Sequence, residues 1–499
     1  MHIRGKKFNR SIHVLLVVII AIFCNCTENV TQQPNQPTLF YTLQLNALHP
    51  DSLHITLVAN EIPGANGRFI LPAHHFDNPV DSFSKSTVKN LVITDKTGEQ
   101  LESNLTEEQV GPIKNMIFTV PSDARYPLTF QYSFDPLAIA EQSQLLPPMH
   151  LDNTALLMGS YLFIIPYISG DLAHLWRSPL NIELNASAPP SVNMHGIPSY
   201  STYRNIYELL FTQMTAGAPE VTNGSGGGEK FVVLNLSQDR YDDSYTEQIM
   251  NRLPAILDET AARFGTFRLQ NEPFTVSITG NSGALEGYNG FTVLPPTADN
   301  VQDIYMTFAH EAIHHFVGIR CGDYNDPWWK EGTTYYLGIV QSARQGFFAK
   351  DRVHHYLLGE RDFSDPKYSH ALSDEHVRSF HFKDRYYSLI YVKGMWVSML
   401  MDERIRRATD NEIILDDVMG ELCRKFDGSA FRRQDFLNLF NRYNADVSDV
   451  FADYVDTQDS IPRSVLEGAY EYLDSAGAFG KTDEAISFAA SPTVLSEKF

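Results

Sequence analysis

The sequence predicts an α+β protein, in which an N-terminal antiparallel β-sandwich-like domain precedes a mostly helical domain. Two observations lead to this. Short runs of alternating apolar and polar residues fill the first part of the chain, and helical spacing of apolar residues dominates from residue 301 to about residue 470. A chain of 499 residues with 43% apolar content is also long enough to bury two cores.

The first 26 residues have the pattern of a secretory signal. Basic residues precede an apolar run at positions 14–23, which is too short to span a bilayer. Cys24 or Cys26 follows directly, which favours a membrane-anchored bacterial lipoprotein acylated on that cysteine. Soluble secretion to the periplasm or medium and an uncleaved anchor are the alternatives. Residues 27–38, rich in Asn, Gln and Pro, predict a flexible tether.

Residues 39–200 predict the β-sandwich domain. Tyr41–Leu45 and Leu53–Val58 alternate as strands do, and a Pro/Gly/Asn cluster at 63–67 separates such runs. The glycine-rich segment 223–228 lacks the Gly-Lys-Ser/Thr ending of a phosphate loop, so we interpret it as a hairpin tip or linker. Residues 201–470 predict the second domain, with a helix over 244–264, and residues 471–499 predict a loosely ordered tail.

The segment His310-Glu311-Ala312-Ile313-His314 is the most informative part of the helical pattern. On a helix, positions i and i+4 share one face, so His310 and His314 can bind the same metal ion. Glu311 then lies beside that face, where a carboxylate can take a proton from a metal-bound water. The structural alternative is an amphipathic core helix whose histidines are buried and hydrogen-bonded.

A second helix is predicted to begin at Asp326-Pro327, because Asp is a good N-cap and Pro suits the first helical position. Glu331 then falls in the first turn or so and can supply a third ligand. Two histidines and one carboxylate leave the fourth position of a tetrahedral zinc open, which is typical of catalytic sites. A glutamate that only stabilises the helix dipole is the alternative.

Two further segments fit the same chemistry. Gly283-Ala284-Leu285-Glu286 follows a strand-like run at 274–279, and Glu286 can pair with the N-terminal ammonium of a peptide lying along this edge. Tyr391 lies in an apolar helical stretch at 386–401, and its hydroxyl can stabilise the oxyanion of a tetrahedral intermediate. A turn glutamate and a core tyrosine are the commoner explanations of such residues.

In this order the segments resemble the gluzincin aminopeptidases, most closely the glycyl aminopeptidase family of zinc peptidases. The matching motifs are Gly283-Ala284-Leu285-Glu286, the His310–His314 segment, Trp329–Tyr336 and Tyr391–Gly394. The resemblance implies a thermolysin-like catalytic domain behind an all-β domain, and peptide substrates. It also implies the following roles: Zn²⁺ bound by His310, His314 and Glu331; Glu311 as general base; Tyr391 as catalytic residue; and Gly283, Ala284 and Glu286 at the substrate.

The sequence departs from that family in three places. Gly287 stands where the family usually has a histidine, which weakens the expected recognition of the substrate amine. The interval from His314 to Glu331 is two residues shorter than usual. The segment after about Pro462 is too short for the PDZ domain that many members carry, so we expect this module to be missing.

The function that these observations favour is a zinc metallopeptidase, an aminopeptidase acting on peptides in the cell envelope or outside the cell. A zinc endopeptidase on the same site, or a non-catalytic envelope binding protein that retains the fold, are the alternatives. The formal charge of −21 argues against nucleic acid as a partner. Contact with a membrane is expected only through the lipid anchor.

The remaining cysteines and histidines leave choices open. Cys321 and Cys423 form one disulfide or stay as two buried thiols. The other histidines of the helical region lack a carboxylate at ligand spacing, and His315 points off the ligand face. We expect them to be solvated or hydrogen-bonded. They are His315, His354, His355, His370, His376 and His381.

Overall fold

A computed structural model describes most of the chain after residue 37. The described ranges are 38–45, 53–62, 64–71, 88–110, 113–134, 149–151, 154–167, 177–236, 243–267, 273–279, 284–294, 301–322, 327–359, 365–374 and 388–480. Contacts group Pro37–Phe499 into one compact unit. The predicted signal, Cys24 and Cys26 lie outside the described residues, as does nearly all of the predicted tether.

The strands occupy the first half of the chain and a short stretch before the metal-binding motif. In chain order they are β1 (Leu39–Leu45), β2 (Leu53–Ala59), β3 (Arg68–Leu71), β4 (Val88–Thr94), β5 (Asn104–Val110), β6 (Ile113–Thr119), β7 (Leu128–Phe134), β8 (Met149–Leu151), β9 (Thr154–Met158), β10 (Ile165–Pro166), β11 (Ile182–Ser187), β12 (Asn193–His195), β13 (Tyr200–Tyr203), β14 (Gln213–Gly217), β15 (Glu220–Gly226), β16 (Glu229–Asn235), β17 (Phe274–Ile278), β18 (Leu285–Gly287) and β19 (Gly290–Val293).

Two sheets enclose the first core. One has the order β13-β11-β1-β2-β7-β4 and the other the order β10-β3-β6-β5. Alternate side chains of β1 and β2 are buried, as the sequence pattern predicts. The Phe69 ring from the second sheet lies 4.5 Å from the Phe130 ring of the first, so the two sheets share this core.

The expectation of a purely antiparallel arrangement is wrong for one pair, because β1 and β11 are parallel. A hairpin imposes antiparallel pairing on neighbours in sequence, but the long connection between β1 and β11 does not. A third sheet, β12-β14-β9-β8, extends the β-rich part to Gly217, beyond the boundary expected at residue 200.

The fourth sheet, β15-β16-β17-β19-β18, is formed by residues 220–293. Its central strands β16, β17 and β19 are parallel, and β15 and β18 are antiparallel edges. Of the two interpretations of segment 223–228, hairpin tip or linker, the structure has the hairpin tip: Gly227 and Gly228, both with positive φ, connect β15 to β16.

Helices dominate from residue 301 onward, as predicted, and the helix predicted over 244–264 is also present. In chain order the helices are α1 (Gly159–Leu162), α2 (Ile206–Leu210), α3 (Asp243–Phe264), α4 (Val301–His314), α5 (Pro327–Arg344), α6 (Lys350–Leu357), α7 (Gly394–Ala408), α8 (Leu415–Lys425), α9 (Arg433–Arg442), α10 (Ser448–Val450) and α11 (Arg463–Ser475), with a 3₁₀ turn at Pro366–Tyr368 and π-helical turns at Leu389–Lys393 and Phe451–Val455. Among the described helices, none is both long and apolar enough to cross a bilayer.

The loosely ordered tail expected from residue 471 does not begin there. Helix α11 continues to Ser475 and buries Leu466 and Leu473, while Ala478 and Phe479 after it are also buried. The Phe479 ring stacks on Tyr470 at 5.2 Å. The expectation is therefore wrong for residues 471–480. Although many of these residues are small and polar, the amphipathic helix α11 and the turn after it still bury their few apolar side chains. Residues 481–499 lie outside the described part.

The question left open about the two cysteines is answered by a disulfide between Cys321 and Cys423. Both residues are buried, and their Cα atoms lie 5.0 Å apart across a sequence separation of 102. The bond connects the turn after α4 to α8. It therefore restrains the segment that leaves the predicted metal-binding helix.

A charged network joins the β-rich part to the helical part. Arg320, in the turn after α4, donates to both carboxylate oxygens of Asp427 at 2.9 and 2.7 Å, and Arg204 donates to the same carboxylate at 3.0 Å. Burial by itself would raise the pKa of Asp427, but the hydrogen bonds and charges of the two arginines lower it to about 2.

Replacing Asp427 with Asn removes this paired charge and leaves Arg320 largely buried without a carboxylate. We expect Asp427→Asn to lower the free energy of unfolding by roughly 1–3 kcal/mol at neutral pH. Because the folded-state pKa of Asp427 is below the reference value of 3.8, its contribution is full above that value and declines as pH falls toward about 2. Denaturant unfolding between pH 3 and 7 measures this. Asp449→Asn, at an exposed pair, is the matched control, and a difference that grows on acidification would contradict the assignment.

Candidate active site

Helix α4 and the β18–β19 hairpin form one wall of the candidate site. The apolar face of α4, including Phe308, Ala312 and Ile313, is buried, and the helix packs against both strands of the hairpin. The helix ends at His314, three residues before the apolar pattern ends, and a turn then leads to Gly318, whose φ is +105°. His310, Glu311 and His314 therefore lie on the last turns of a well-packed helix.

The three predicted metal ligands converge. The Nε2 atoms of His310 and His314 lie 3.0 Å apart. Glu331 Oε2 lies 3.7 Å from His310 Nε2 and 3.3 Å from His314 Nε2. All three side chains are buried.

These separations fit a zinc ion. Zinc binds histidine nitrogen and carboxylate oxygen at about 2.0–2.2 Å, so tetrahedral ligands lie about 3.4 Å from one another. The observed distances of 3.0, 3.3 and 3.7 Å bracket that value. Two imidazole nitrogens and one carboxylate oxygen are also a typical donor set for catalytic zinc.

The backbone after α4 selects the ligating nitrogen of His314. The Nδ1 of His314 lies 3.2 Å from the Val317 carbonyl oxygen. A carbonyl only accepts, so Nδ1 carries the proton and Nε2 presents its lone pair to the metal position. The Thr334 hydroxyl lies 3.2 Å from His314 Nε2 and donates to the Lys330 carbonyl at 2.7 Å, which fixes its orientation.

Burial keeps His310 neutral as well. Desolvation, together with the neighbouring His314, lowers the pKa of His310 to about 3, although the negative charge of Glu331 acts in the opposite direction. A neutral imidazole is the form that binds metal. At neutral pH, His310 is therefore already in the form that can bind a metal ion.

Glu331 reaches this position because α5 begins at Pro327, as predicted; Asp326, the expected N-cap, lies outside the described residues. Glu331 is two turns or less from the helix start and is buried. The next residue, Gly332, packs backbone to backbone against Gly394, where an added Cβ would lie 2.5 Å from Gly394 atoms. The absence of both side chains allows α5 to approach the segment that carries Tyr391.

Glu311 lies beside the three ligand atoms and does not belong to their set. Its Oε1 is 3.9 Å from His310 Nε2, and its side chain is buried. A carboxylate oxygen of Glu311 also lies within 4.8 Å of ligand atoms of His314 and Glu286. This placement is what a general base next to a metal-activated water requires.

Tyr391 lies within the π-helical turn Leu389–Lys393, next to His310. Its ring centroid is 6.1 Å from that of His310 and 6.0 Å from that of Tyr335. Lys393, two residues on, is buried and donates to the His370 carbonyl at 2.8 Å. Burial lowers the pKa of Lys393 to about 8. The turn that presents Tyr391 is thus fixed to a neighbouring loop.

The substrate-binding residues predicted on the glycine-rich edge are only partly brought to the site. Glu286 is buried on β18, beside the metal ligands, and Ala284 precedes that strand in a half-buried position. Gly283 lies outside the described residues. The carboxylate of Glu286 also has a partner that the sequence did not predict, because it forms an ion pair with the ammonium of Lys330.

Sequence reasoning missed three contributors. Lys330 adjoins Glu331, and Thr334 is one turn further along α5. Asn289, in the turn of the hairpin, accepts from the Gln213 amide at 2.9 Å and donates to the Gln213 carbonyl at 2.8 Å, so it joins β18–β19 to β14. Lys330 and Thr334 lie in the Trp329–Tyr336 motif, and membership of this motif is the sequence signal that could have found them.

The other histidines of the helical region have varied environments. His315 is not part of the ligand cluster, as predicted, but it is not solvated: it is buried, and aromatic rings pack against it, including Phe267 at 5.1 Å. Burial lowers its pKa well below the usual value. His354 and His355 are exposed on α6, and His370 is half-buried. His376 and His381 lie outside the described residues.

Comparisons with known proteins place the fold but not the family. No protein-family model matches the sequence, and no curated protein matches it. An aminopeptidase N family protein from Idiomarina loihiensis is similar in structure, with a TM-score of 0.61 at 19% identity over 86% of this chain and 78% of that one. Native yeast LTA4 hydrolase has a TM-score of 0.56 at 12% identity, over 87% of this chain and 71% of that one.

A third similar structure is Legionella pneumophila aminopeptidase A in complex with aspartic acid, with a TM-score of 0.53 at 13% identity over 85% of this chain and 50% of that one. At these identities the likeness shows the fold. The chain therefore has the α+β architecture of aminopeptidase N and LTA4 hydrolase, with sheets preceding a helical part. Membership of the glycyl aminopeptidase family stays a prediction.

Proposed function

We propose that this protein is a zinc-dependent metallopeptidase with an aminopeptidase-like fold, acting on peptides. The observation that carries the proposal is the buried convergence of His310, His314 and Glu331 with Glu311 beside them. The shared fold with aminopeptidases supports it. A purely structural cluster would not need a carboxylate adjacent to three ligand atoms, since buried carboxylates are unfavourable unless they are paired or bind a metal.

His310, His314 and Glu331 would hold the zinc ion. When bound, zinc supplies Lewis acidity, which polarises the scissile carbonyl and lowers the pKa of an attacking water. Glu311 accepts the proton of that water and delivers it to the leaving amine. Its buried position, with Oε1 3.9 Å from His310 Nε2, suits this role.

Tyr391 is the residue placed to stabilise the developing oxyanion. Its half-buried ring lies against the face of the site formed by His310 and Tyr335. A hydroxyl held on a packed turn donates to the oxyanion without reorganising during the reaction, and this is the usual source of such stabilisation.

Two modes of peptide cleavage are candidates. In the exopeptidase mode, which the sequence resemblance favours, Glu286 binds the free N-terminal ammonium of the substrate. In the endopeptidase mode, Glu286 stays paired with Lys330, and the observed ion pair favours this second mode. A non-catalytic binding protein is disfavoured, because it has no use for Glu311 beside the metal ligands.

Export is the remaining part of the proposal. The basic and apolar pattern before Cys24 and Cys26 supports a lipoprotein anchored to a membrane of the cell envelope, or else a periplasmic or secreted protein. The Cys321–Cys423 disulfide is compatible with an oxidising compartment.

Two substitutions separate metal binding from chemistry. We expect Glu331→Gln to lose most of its zinc, because one of three protein ligands becomes a neutral amide. We expect Glu311→Gln to keep zinc but to lose roughly 10³-fold or more in kcat, because the proton acceptor is gone. Zinc analysis and peptide hydrolysis on the same samples measure both, with Glu412→Gln as an exposed control. A wild type that stays metal-free after zinc is added would defeat the proposed function.

Replacing Tyr391 with Phe tests the oxyanion role. We expect kcat to fall by roughly 10²–10³-fold, because one donor to the oxyanion is removed, while KM and zinc content change little. Steady-state kinetics on a peptide substrate measure this, and Tyr200→Phe, at a half-exposed tyrosine, serves as control. An unchanged kcat would remove Tyr391 from the mechanism.

The expected lipid anchor has a direct mass signature. Expression of the full chain in a bacterial host should give a mature N-terminal peptide that begins at Cys24 or Cys26 and carries acyl mass. Mass spectrometry of the membrane fraction measures it, and Cys24→Ser and Cys26→Ser identify the modified residue. An N-terminus without acyl mass would contradict the lipoprotein proposal and leave soluble secretion or an uncleaved anchor.

A further inference from the structure

Lys330 is a buried cation between two carboxylates of the candidate site. Its Nζ forms an ion pair with Glu286 Oε1 and lies 3.3 Å from Glu331 Oε1. The three side chains are 9%, 5% and 3% exposed. The ammonium also lies 5.6 Å from the centre of the Phe211 ring. Water therefore contributes little to the solvation of this group.

The path of the Lys330 side chain is built into the fold. Its Cγ, Cδ and Cε atoms pass over Gly318, where an added Cβ would lie 2.7–2.9 Å from them. Gly318 also has a φ of +105°, which side-chain-bearing residues rarely adopt. The buried guanidinium of Arg177 donates to the Gly318 and Ile319 carbonyls and fixes this turn. Lys330 is thus directed to Glu286 by packing.

The two oxygens of Glu331 have separate tasks. Oε2 faces the Nε2 atoms of His310 and His314, and Oε1 faces Lys330. Lys330 can keep both of its carboxylate contacts when Glu331 binds a metal through Oε2. The ion pair to Glu286 is therefore compatible with the metal-bound state.

This arrangement changes what Glu286 offers to a substrate. An unpaired buried carboxylate would bind an N-terminal ammonium strongly, because a charged partner compensates its desolvation. Glu286 already has an ammonium partner on the same chain. A second ammonium brought to the same carboxylate would lie within a few Å of the first, and like charges at that distance repel in a medium of low dielectric.

We propose that Lys330 occupies the place of the substrate ammonium at Glu286 and thereby determines specificity. The substrate class that follows is peptides that present no free ammonium at this position, either because the N-terminus is blocked or because the cleaved bond is internal. This inference rests on the proposed zinc peptidase function, and it selects the second of the two cleavage modes.

The first experiment compares one pair of substrates that differ only in the N-terminus, a fluorogenic alanyl peptide and its N-acetyl form. We expect wild type to hydrolyse the acetylated peptide with kcat/KM at least equal to that of the free peptide. Lys330→Met keeps the length of the side chain and removes its charge. We expect it to shift the ratio toward the free peptide by roughly tenfold or more, the range for one charge-assisted hydrogen bond. Both kcat/KM values are measured on the same protein sample, so a partial loss of zinc lowers both equally and does not change their ratio.

Two further variants keep the result interpretable. Lys367→Met removes an exposed lysine on the Pro366–Tyr368 turn and should leave the ratio unchanged. Lys330→Met/Glu286→Gln removes both charges of the ion pair, so the carboxylate of Glu286 is not left buried without Lys330. We expect this double variant to lose the preference for the free peptide that Lys330→Met gains. Circular dichroism and thermal unfolding show whether each variant is folded.

A binding measurement separates this inference from the proposed function. Calorimetric titration of trialanine and N-acetyl-trialanine into Glu311→Gln should give dissociation constants within about threefold of each other. In Glu311→Gln/Lys330→Met the free peptide should bind roughly tenfold more tightly than the acetylated one. Absence of zinc or of any hydrolysis in wild type would defeat the peptidase proposal, and the binding ratios would then decide the role of Lys330. A free-peptide preference of tenfold with Lys330 in place, or a ratio that Lys330→Met does not change, would overturn it.

Discussion

Three carboxylates buried side by side are the constraint on which the site depends. Glu286, Glu311 and Glu331 are each 5% exposed or less, and each has an oxygen within 4.8 Å of a ring nitrogen of His314. Negative charge buried at this density is unfavourable unless cations or hydrogen bonds compensate it. A divalent metal at His310, His314 and Glu331 would supply one part of that compensation. Lys330 supplies another on the opposite side of Glu331.

The rest of the fold holds these groups at contact distance. The meeting of Gly332 and Gly394 brings α5 against the turn that carries Tyr391, and Asn289 joins the β18–β19 hairpin to β14. The Cys321–Cys423 disulfide restrains the turn that follows α4. Each of these contacts joins segments far apart in sequence. A site assembled from a hairpin and two helices therefore depends on packing between elements, and no single motif is sufficient to form it.

Specificity at such a site is decided by the charges that surround the metal ligands. The ligand set and the neighbouring base define hydrolysis, and they would be the same for an exopeptidase and an endopeptidase. What differs is whether Glu286 offers its charge to the substrate or to Lys330. A paired carboxylate in a desolvated pocket attracts a second cation weakly, and on this ground we propose that one lysine beside a metal ligand changes the substrate class while the fold and chemistry stay the same.

The sequence by itself determined the local features of this protein. The i, i+4 spacing of His310 and His314, the helix start at Pro327 and the chain reversal or linker at 223–228 follow from short-range patterns, and the structure has them. The order of sheets and helices follows from the change of apolar period along the chain. Only the tertiary structure decided the parallel pairing of β1 with β11, the packed residues 471–480, the disulfide, and the ion pair of Glu286 with Lys330. The physical reason is that periodicity and capping act within a few residues, whereas burial and charge pairing depend on which distant segments the folded chain brings together.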